Sequence, residues 1–401
     1  MPLERPLFPV PAARQVLRGF NAHYAATGVV AFLFACTGPV AIILSVGARG
    51  GLSESDIASW IFSAFCLNGV ISFVFSLLYR QPLVFLWSIP GAVLLGPALG
   101  HLSFAQAIGA YIATGVLMLL LGLSGWVRRA MEAVPMPIVM AMVAGVFLRF
   151  GIDLVHAFRD QLWIAAPMAA AFFALTRLPE LAKIVPPLVA ALLVGALAVA
   201  VLGVFRPPPG ALFALAAPNF YVPQFSWQAM VELVLPLAIT VLVVQNGQGI
   251  AVLTANGHAA PINAITAACG LGSIVTALFG AVSTCLTGPV NAILSASGDR
   301  ERQYTSALFF CIFSLAFGLM APFFTRLLLA TPPAFIATLA GLAMLRILQA
   351  AFTASFAGRH SLGALVCFLV TVADVPIARI GAPFWGLVFG LGASWLLERD
   401  E

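Results

Sequence analysis

Ser283 to Asn291 reads Ser-Thr-Cys-Leu-Thr-Gly-Pro-Val-Asn, inside a stretch from Leu233 to Gly298 that holds no Asp, Glu, Lys or Arg. Pro289 has no N–H and disfavours helix in the residue before it. Thr284 to Thr287 is therefore expected to run extended, with a helix starting at or near Pro289, where the fixed φ of proline suits a first helical position. A helix that begins inside a bilayer leaves N–H groups that are costly if they face lipid. Such an end suits a polar cavity, and its partial positive charge suits an anion. The chemistry on offer is anion binding by main-chain donors, with Thr287, Gly288 and Asn291 at the helix start.

The same device occurs earlier, in Val84 to Leu95, where Pro90 overlays Pro289 at an offset of 199 and Ser88 overlays Thr287. Two interrupted segments in corresponding positions of two halves are the sequence mark of a transport site. Gln245, Asn246 and Gln248 place three amides within four residues of an otherwise apolar span. They read either as ligand contacts or as helix–helix hydrogen bonds. Thr287 and Asn291, four apart, either face a ligand together or cap the helix. Thr37 and Gly38 stand at a kink or at a contact. Phe85 and Trp87 either wall a flat ligand or simply pack.

The elements that hold these residues must be membrane helices. Of 401 residues, 62% are hydrophobic and 8% charged, against roughly 25% charged in soluble proteins. At about 20 residues per span, the chain has room for about twelve to fourteen spans and no soluble domain. The net charge of +5 does not imply nucleic acid. Twelve of the 19 Lys and Arg fall at positions read as cytoplasmic, among them Arg18, Lys183 and Arg399, and five, among them Arg206 and Arg379, outside. This bias places both termini in the cytoplasm and requires an even number of spans. The six cysteines lie in apolar segments without metal or disulfide spacing and read as small packing residues. No cofactor and no metal are implied. The charged, Pro-rich N-terminus is not a cleavable signal.

In order, spans are expected at about residues 27–46, 57–78, 83–99 (broken), 105–127, 137–154, 162–176 and 185–204. A linker over 206–228 follows, with the Pro207-Pro208-Pro209-Gly210 turn and an interfacial helix near Phe225 and Trp227. The second series covers about 231–253, 263–278, 284–297 (broken), 306–329, 333–352, 362–372 and 382–397. The chain thus divides into 1–205, a linker at 206–228, and 229–401. Pro137 to Gly145 overlays Pro333 to Gly341, followed by Arg149 and Arg346 one position out of step. Seven spans per half is odd, so the second half inserts upside down as an inverted repeat.

The Thr287-Gly288-Pro289-Val290-Asn291-Ala292-Ile293 stretch, Gln245-Asn246-Gly247 and Gly381-Ala382-Pro383-Phe384-Trp385-Gly386 resemble the benzoate transporter family of benzoate/proton symporters. The resemblance covers essentially the whole chain. That family is similar in architecture to uracil permease, to the nucleobase–ascorbate transporters, and to the bicarbonate and sulfate exchangers. It implies an all-α polytopic membrane protein of fourteen transmembrane segments in a seven-plus-seven inverted repeat, with extended stretches in spans 3 and 10. Spans 1–4 and 8–11 would form a core domain. Spans 5–7 and 12–14 would form a gate domain, often the surface of a homodimer. The substrate would lie between spans 3 and 10, against spans 1 and 8. The implied site is Thr37, Gly38, Phe85, Ser88, Gln245, Asn246, Thr287, Gly288 and Asn291. The implied partners are benzoate or a related aromatic acid, protons and the lipid of a bacterial inner membrane. The nucleobase branch carries a Glu at the position of Asn246, which disfavours a nucleobase here.

Benzoate needs an apolar slot and donors without fixed negative charge. Helix N-termini contribute roughly 0.3–1 kcal/mol each, up to about 2 when partly buried, and burial of the ring roughly 1.5–3 kcal/mol. With side-chain hydrogen bonds this reaches micromolar affinity, about −8 kcal/mol. A co-transported proton cancels the cost of importing an anion, about 2.3 kcal/mol per 100 mV. Asp153, Asp374, Glu54, Asp56 and His101 are candidates to carry it, and the substrate carboxylate is another. An uncoupled anion exchanger and a nucleobase-type permease are the alternatives within the fold. An intramembrane enzyme is disfavoured, since neither His-Glu-x-x-His nor Gly-x-Ser-x-Gly occurs.

Overall fold

The computed structural model describes every residue except 1, 2, 13, 15, 17, 18, 134, 183, 184, 207–212, 297, 379 and 399–401. The expectations on Arg18, Lys183, the Pro207–Gly210 turn, Arg379 and Arg399 lie outside the described residues. Backbone polar groups in hydrocarbon must find partners within their own segment, so a chain of this composition folds as helices. Among the described residues, six helices are long and apolar enough to cross a membrane, and six shorter apolar helices of 10–17 residues accompany them. The protein is a mostly helical polytopic membrane protein.

Helices α1 (Ala22–Cys36) and α2 (Gly38–Arg49) form one span broken at Thr37, whose φ of −92° and ψ of −94° leave the helical region. Pro39 removes a donor just after the break. Helix α3 (Glu54–Tyr79) opens on a Ser53/Asp56 capping box and contains a π-turn at Ser63–Leu67. Strand β1 (Phe85–Trp87) and helix α4 (Ile89–Ala98) share the next crossing. Ten helical residues cover only about 15 Å, half of the roughly 30 Å hydrocarbon core, and the extended residues supply part of the rest. Helices α5 (Phe104–Ser124), the short α6 (Val127–Glu132), α7 (Met136–Asp160), α8 (Leu162–Arg177) and α9 (Pro187–Val201) follow.

Residues 213–226 run without helix, pinned by backbone bonds from Ala216 to Leu319, Tyr221 to Leu278 and Gln224 to Ala105. The interfacial helix expected near Phe225 does not form. Trp227 instead begins α10 (Trp227–Ala255), with Ser226 as its cap. Then come α11 (Ile262–Ala277), β2 (Thr284–Leu286), α12 (Gly288–Ser295), α13 (Gln303–Leu319) and α14 (Ala321–Leu329). The single span expected over 306–329 is corrected here: α13 and α14 meet at a bend of 68°. Pro322, in the first turn of α14, cannot donate back into α13. Helices α15 (Pro333–Phe356), α16 (Ser361–Ala373) and α17 (Ala382–Leu397) end the chain.

Helices α7, α8, α9, α15, α16 and α17 pack mainly on one another. The strands, α1 to α5 and α10 to α13 form a second group around the ribbon, and α2, α4 and α10 meet the first group along a seam.

Candidate functional site

Strands β1 and β2 pair antiparallel, with Phe85 opposite Leu286, Leu86 opposite Cys285 and Trp87 opposite Thr284. Backbone bonds from Ser88 N to Ser283 O (2.9 Å) and from Thr287 N to Val84 O (3.1 Å) close the ribbon at its two ends. Because the strands oppose, α4 and α12 leave in opposite directions, and both helix starts lie at the crossing. At about 3.3 Å per residue, the starts are separated by about 13 Å of strand.

Each outward-facing strand amide that is satisfied borrows a side chain from a neighbouring span. Ser72 Oγ accepts from Phe85 N at 2.8 Å, and Ser273 Oγ accepts from Thr284 N at 2.9 Å. Asn68 Oδ1 accepts from the Thr284 hydroxyl at 2.9 Å. The reading from sequence alone missed these residues. The available signal was a set of polar side chains at mid-span, with Ser72 and Ser76 four apart on one face of α3.

The two helix starts differ. Ser88 caps α4, its Oγ accepting from Gly91 N at 3.1 Å. Thr287 gives α12 no side-chain cap, and among the described residues nothing bonds its half-buried hydroxyl. The first turn of α12 therefore keeps main-chain donors that no side chain occupies. Asn291 is fully buried and acts as a bracket. Its Oδ1 accepts from Val84 N at 3.0 Å, while its Nδ2 donates to Thr287 O at 2.7 Å and Val84 O at 3.2 Å. Its amide thus joins the two broken segments.

Asn246, on α10, is fully buried, and its Oδ1 accepts from Leu286 N at 2.8 Å. That bond fixes the orientation of the amide and leaves Nδ2 buried with no partner among the described residues. An orphan buried donor costs about 1–3 kcal/mol. Gln245 beside it is also buried, and among the described residues nothing bonds its side chain. Gln248 is exposed and lies across Gly288, where an added Cβ would come 2.5 Å from Gln248 Cγ. Only glycine fits beneath it.

Three candidates stand apart from this group. Phe85 is fully buried with its ring 5.3 Å from that of Phe75, packed towards α3. Thr37 donates its hydroxyl to Leu33 O at 2.9 Å, within the break of the first span. Gly38 faces Ala343 on α15, whose Cβ would lie 2.3 Å from an added methyl. It is a close-packing point of the seam.

The titratable candidates separate likewise. Glu54 pairs with Arg326, and Asp56 is held by Ser53, Asn219 and Tyr221. Arg49 Nη2 lies 2.7 Å from Asp153 Oδ2, off the line a hydrogen bond requires, so the contact is an ion pair only. Arg149 stands 4.0 Å from Asp374. Burial pushes the Asp374 carboxyl up, against the pull of Arg149 and His101. His101 pairs at 2.8 Å with Glu232, a buried carboxylate that the sequence reading did not single out. Arg346 donates to Gln349. A separate cavity of about 520 Å³ opens between Arg80, Gln81, His258, Arg300, Arg302 and Tyr304. Its positive lining raises the local concentration of anions.

A family model described as benzoate membrane transport protein matches residues 20–396. The chain is 30% identical over 377 residues to the inner membrane protein YdcO of Escherichia coli (strain K12), covering 90% of this chain and 93% of that one. It is 27% identical over 380 residues to the benzoate membrane transport protein of Acinetobacter baylyi, covering 93% and 95%. The fold is similar to the transmembrane domain of a cyanobacterial bicarbonate transporter, BicA, at a TM-score of 0.64 and 15% identity, over 95% of this chain and 99% of that one.

Proposed function

This chain belongs to the benzoate membrane transport family, and on that footing we propose that it imports benzoate or a similar aromatic carboxylate together with a proton. It is a membrane transporter and not an enzyme. The observation that carries the substrate reading is the pairing of an uncapped α12 start with the orphan Nδ2 of Asn246. The two are linked through Leu286, whose N–H Asn246 holds. A carboxylate beside Thr287 accepts from the Gly288 end of α12, from the Thr287 hydroxyl and from Asn246, and no lysine or arginine is required. Gln245, buried beside Asn246 on α10, offers a further amide to the same substrate. Ser88 and Asn291 set the geometry of the two helix starts, while Thr37, Gly38 and Phe85 pack apart from it.

The cycle is alternating access of a core, spans 1–4 and 8–11, against a gate, spans 5–7 and 12–14. Fourteen segments in two inverted sets of seven are supported by matched features at matched places. Ser72 and Ser273 each hold a strand amide, Pro90 and Pro289 each begin a half-helix, and the short α6 and α14 each follow the fourth span of their set. The halves are residues 1–205 and 229–401, in a bacterial inner membrane with both termini cytoplasmic. A homodimer through the gate fits the apolar exposure of Leu193, Leu197 and Val201 on α9.

A second reading, uncoupled anion exchange, is favoured by one observation: Asn246 stands where a coupling carboxylate would touch the substrate. Uptake of radiolabelled benzoate into proteoliposomes, with and without a pH gradient, separates the two. Gradient-driven accumulation supports symport, and uptake indifferent to the gradient supports exchange.

A further inference from the structure

Glu232 lies in the second turn of α10 and is 5% exposed. Its Oε2 is 2.8 Å from Nε2 of His101, which follows α4 and whose side chain is 30% exposed. A carboxylate taken from water needs a partner, and among the described residues this one has a single hydrogen-bond partner, an imidazole with a second ring nitrogen able to hold a proton. The pair sits on the seam. An added Cβ at Gly381, just before α17, would lie 2.6 Å from Glu232 Oε1. The carboxylate therefore rests against backbone of the opposite packing group, and the glycine of the Gly381–Gly386 motif makes the room.

The neighbours of the pair are few. Helix α5 packs on this turn and carries no charged residue, its one titratable group near the middle being Tyr111. Helix α17 also packs there and has no titratable residue. From the opposite group, Asp374 is within electrostatic reach of His101 and stands beside Arg149.

We propose that His101 and Glu232 together form the proton-binding site of the transport cycle, an inference that rests on the symport reading above. In the unloaded pair a neutral imidazole donates Nε2–H to the carboxylate, and the net charge is −1. Loading adds one proton from water to the exposed imidazole, at Nδ1, and the pair becomes neutral. The proton leaves to water when the seam opens to the other side, which restores the negative charge. With the substrate anion bound, an unprotonated pair would put two negative charges on the moving assembly, whereas a neutral hydrogen-bonded pair leaves one, the same net charge as the empty, unprotonated state. Proton loading therefore permits the substrate-bound seam to rearrange, the empty seam returns without the proton, and the substrate anion crosses with one compensating charge.

The test uses purified protein in proteoliposomes and radiolabelled benzoate. With an inside-alkaline gradient of one pH unit, one-to-one symport drives wild-type accumulation towards about tenfold. Glu232→Gln should lose that accumulation while benzoate counterflow, which needs no net proton movement, stays within about threefold of wild type. His101→Gln should keep counterflow and shift the pH profile of driven uptake. Gradient-driven accumulation by Glu232→Gln overturns the inference. Loss of counterflow in both variants also overturns it, because the pair is then structural. A wild type indifferent to the gradient overturns the symport reading instead, which keeps the two failures distinct.

Discussion

Asn246 holds the backbone N–H of Leu286 at 2.8 Å and keeps its own Nδ2 buried without an acceptor. One side of the amide fixes a strand, and the other side is left for a ligand under the substrate reading proposed above. Asn246→Ala removes the Nδ2 donor together with the acceptor for Leu286 N, so it should lower stability and weaken benzoate binding by about 1–3 kcal/mol, about fivefold to 150-fold in Kd. Asn246→Asp keeps the acceptor for Leu286 and adds a negative charge, so its loss should be larger. Scintillation proximity binding at fixed pH measures both, and a wild-type Kd in either variant removes Asn246 from the site.

Asn291 behaves otherwise. Its three bonds go to Val84 and Thr287. Asn291→Leu leaves the buried Val84 N–H unpaired at about 1–3 kcal/mol, while the Val84 and Thr287 carbonyls keep their backbone partners. Uptake should vanish and the thermal midpoint should fall. An unchanged midpoint would show that Val84 N finds another partner.

The two hydroxyls at the helix starts should part in the same assays. Ser88→Ala removes a cap and should cost about 0.5–2 kcal/mol of stability. Thr287→Val removes a hydroxyl that bonds nothing within the described residues, so stability should hold while KM rises severalfold. If instead Thr287→Val unfolds more easily than Ser88→Ala, the assignment of roles is reversed.

His258 gives a pH signature away from the crossing. Burial lowers its pKa, the Gln303 bond opposes this, and Arg300 adds to the lowering. A base held below its ordinary value near 6.5 takes up more protons in the unfolded chain. Stability therefore rises with pH through that window and falls as pH drops below about 6.5. His258→Gln should flatten this acid limb in thermal unfolding recorded between pH 5 and 8. An acid limb as steep as that of wild type would place its origin elsewhere.

The crossing was legible from local rules. Pro289 and Pro90 each force extended backbone before a helix start, and the strands appear where that rule puts them. The contact between Asn291 and Thr287 was also readable, because a side chain four residues on reaches the Thr287 carbonyl, although neither side chain caps the helix. Partners distant in sequence were not readable. Ser72 and Ser273 look like ordinary small residues until the strand amides they serve are placed beside them. His101 and Glu232 are 131 residues apart and meet only through the packing of α4 against α10. The bend between α13 and α14 was hidden because both pieces are apolar enough to read as one span.

The extended segment after residue 212 has a mechanical consequence. Its amides attach to Leu319, Leu278 and Ala105, at the ends of α13, α11 and α5. All three anchors belong to the assembly that carries the ribbon. The segment is therefore a brace and not a hinge: it ties elements that precede it in the chain to elements that follow it. A chain cut within it should still assemble, and the rocking proposed above would have to be accommodated elsewhere, along the seam of α2, α4 and α10.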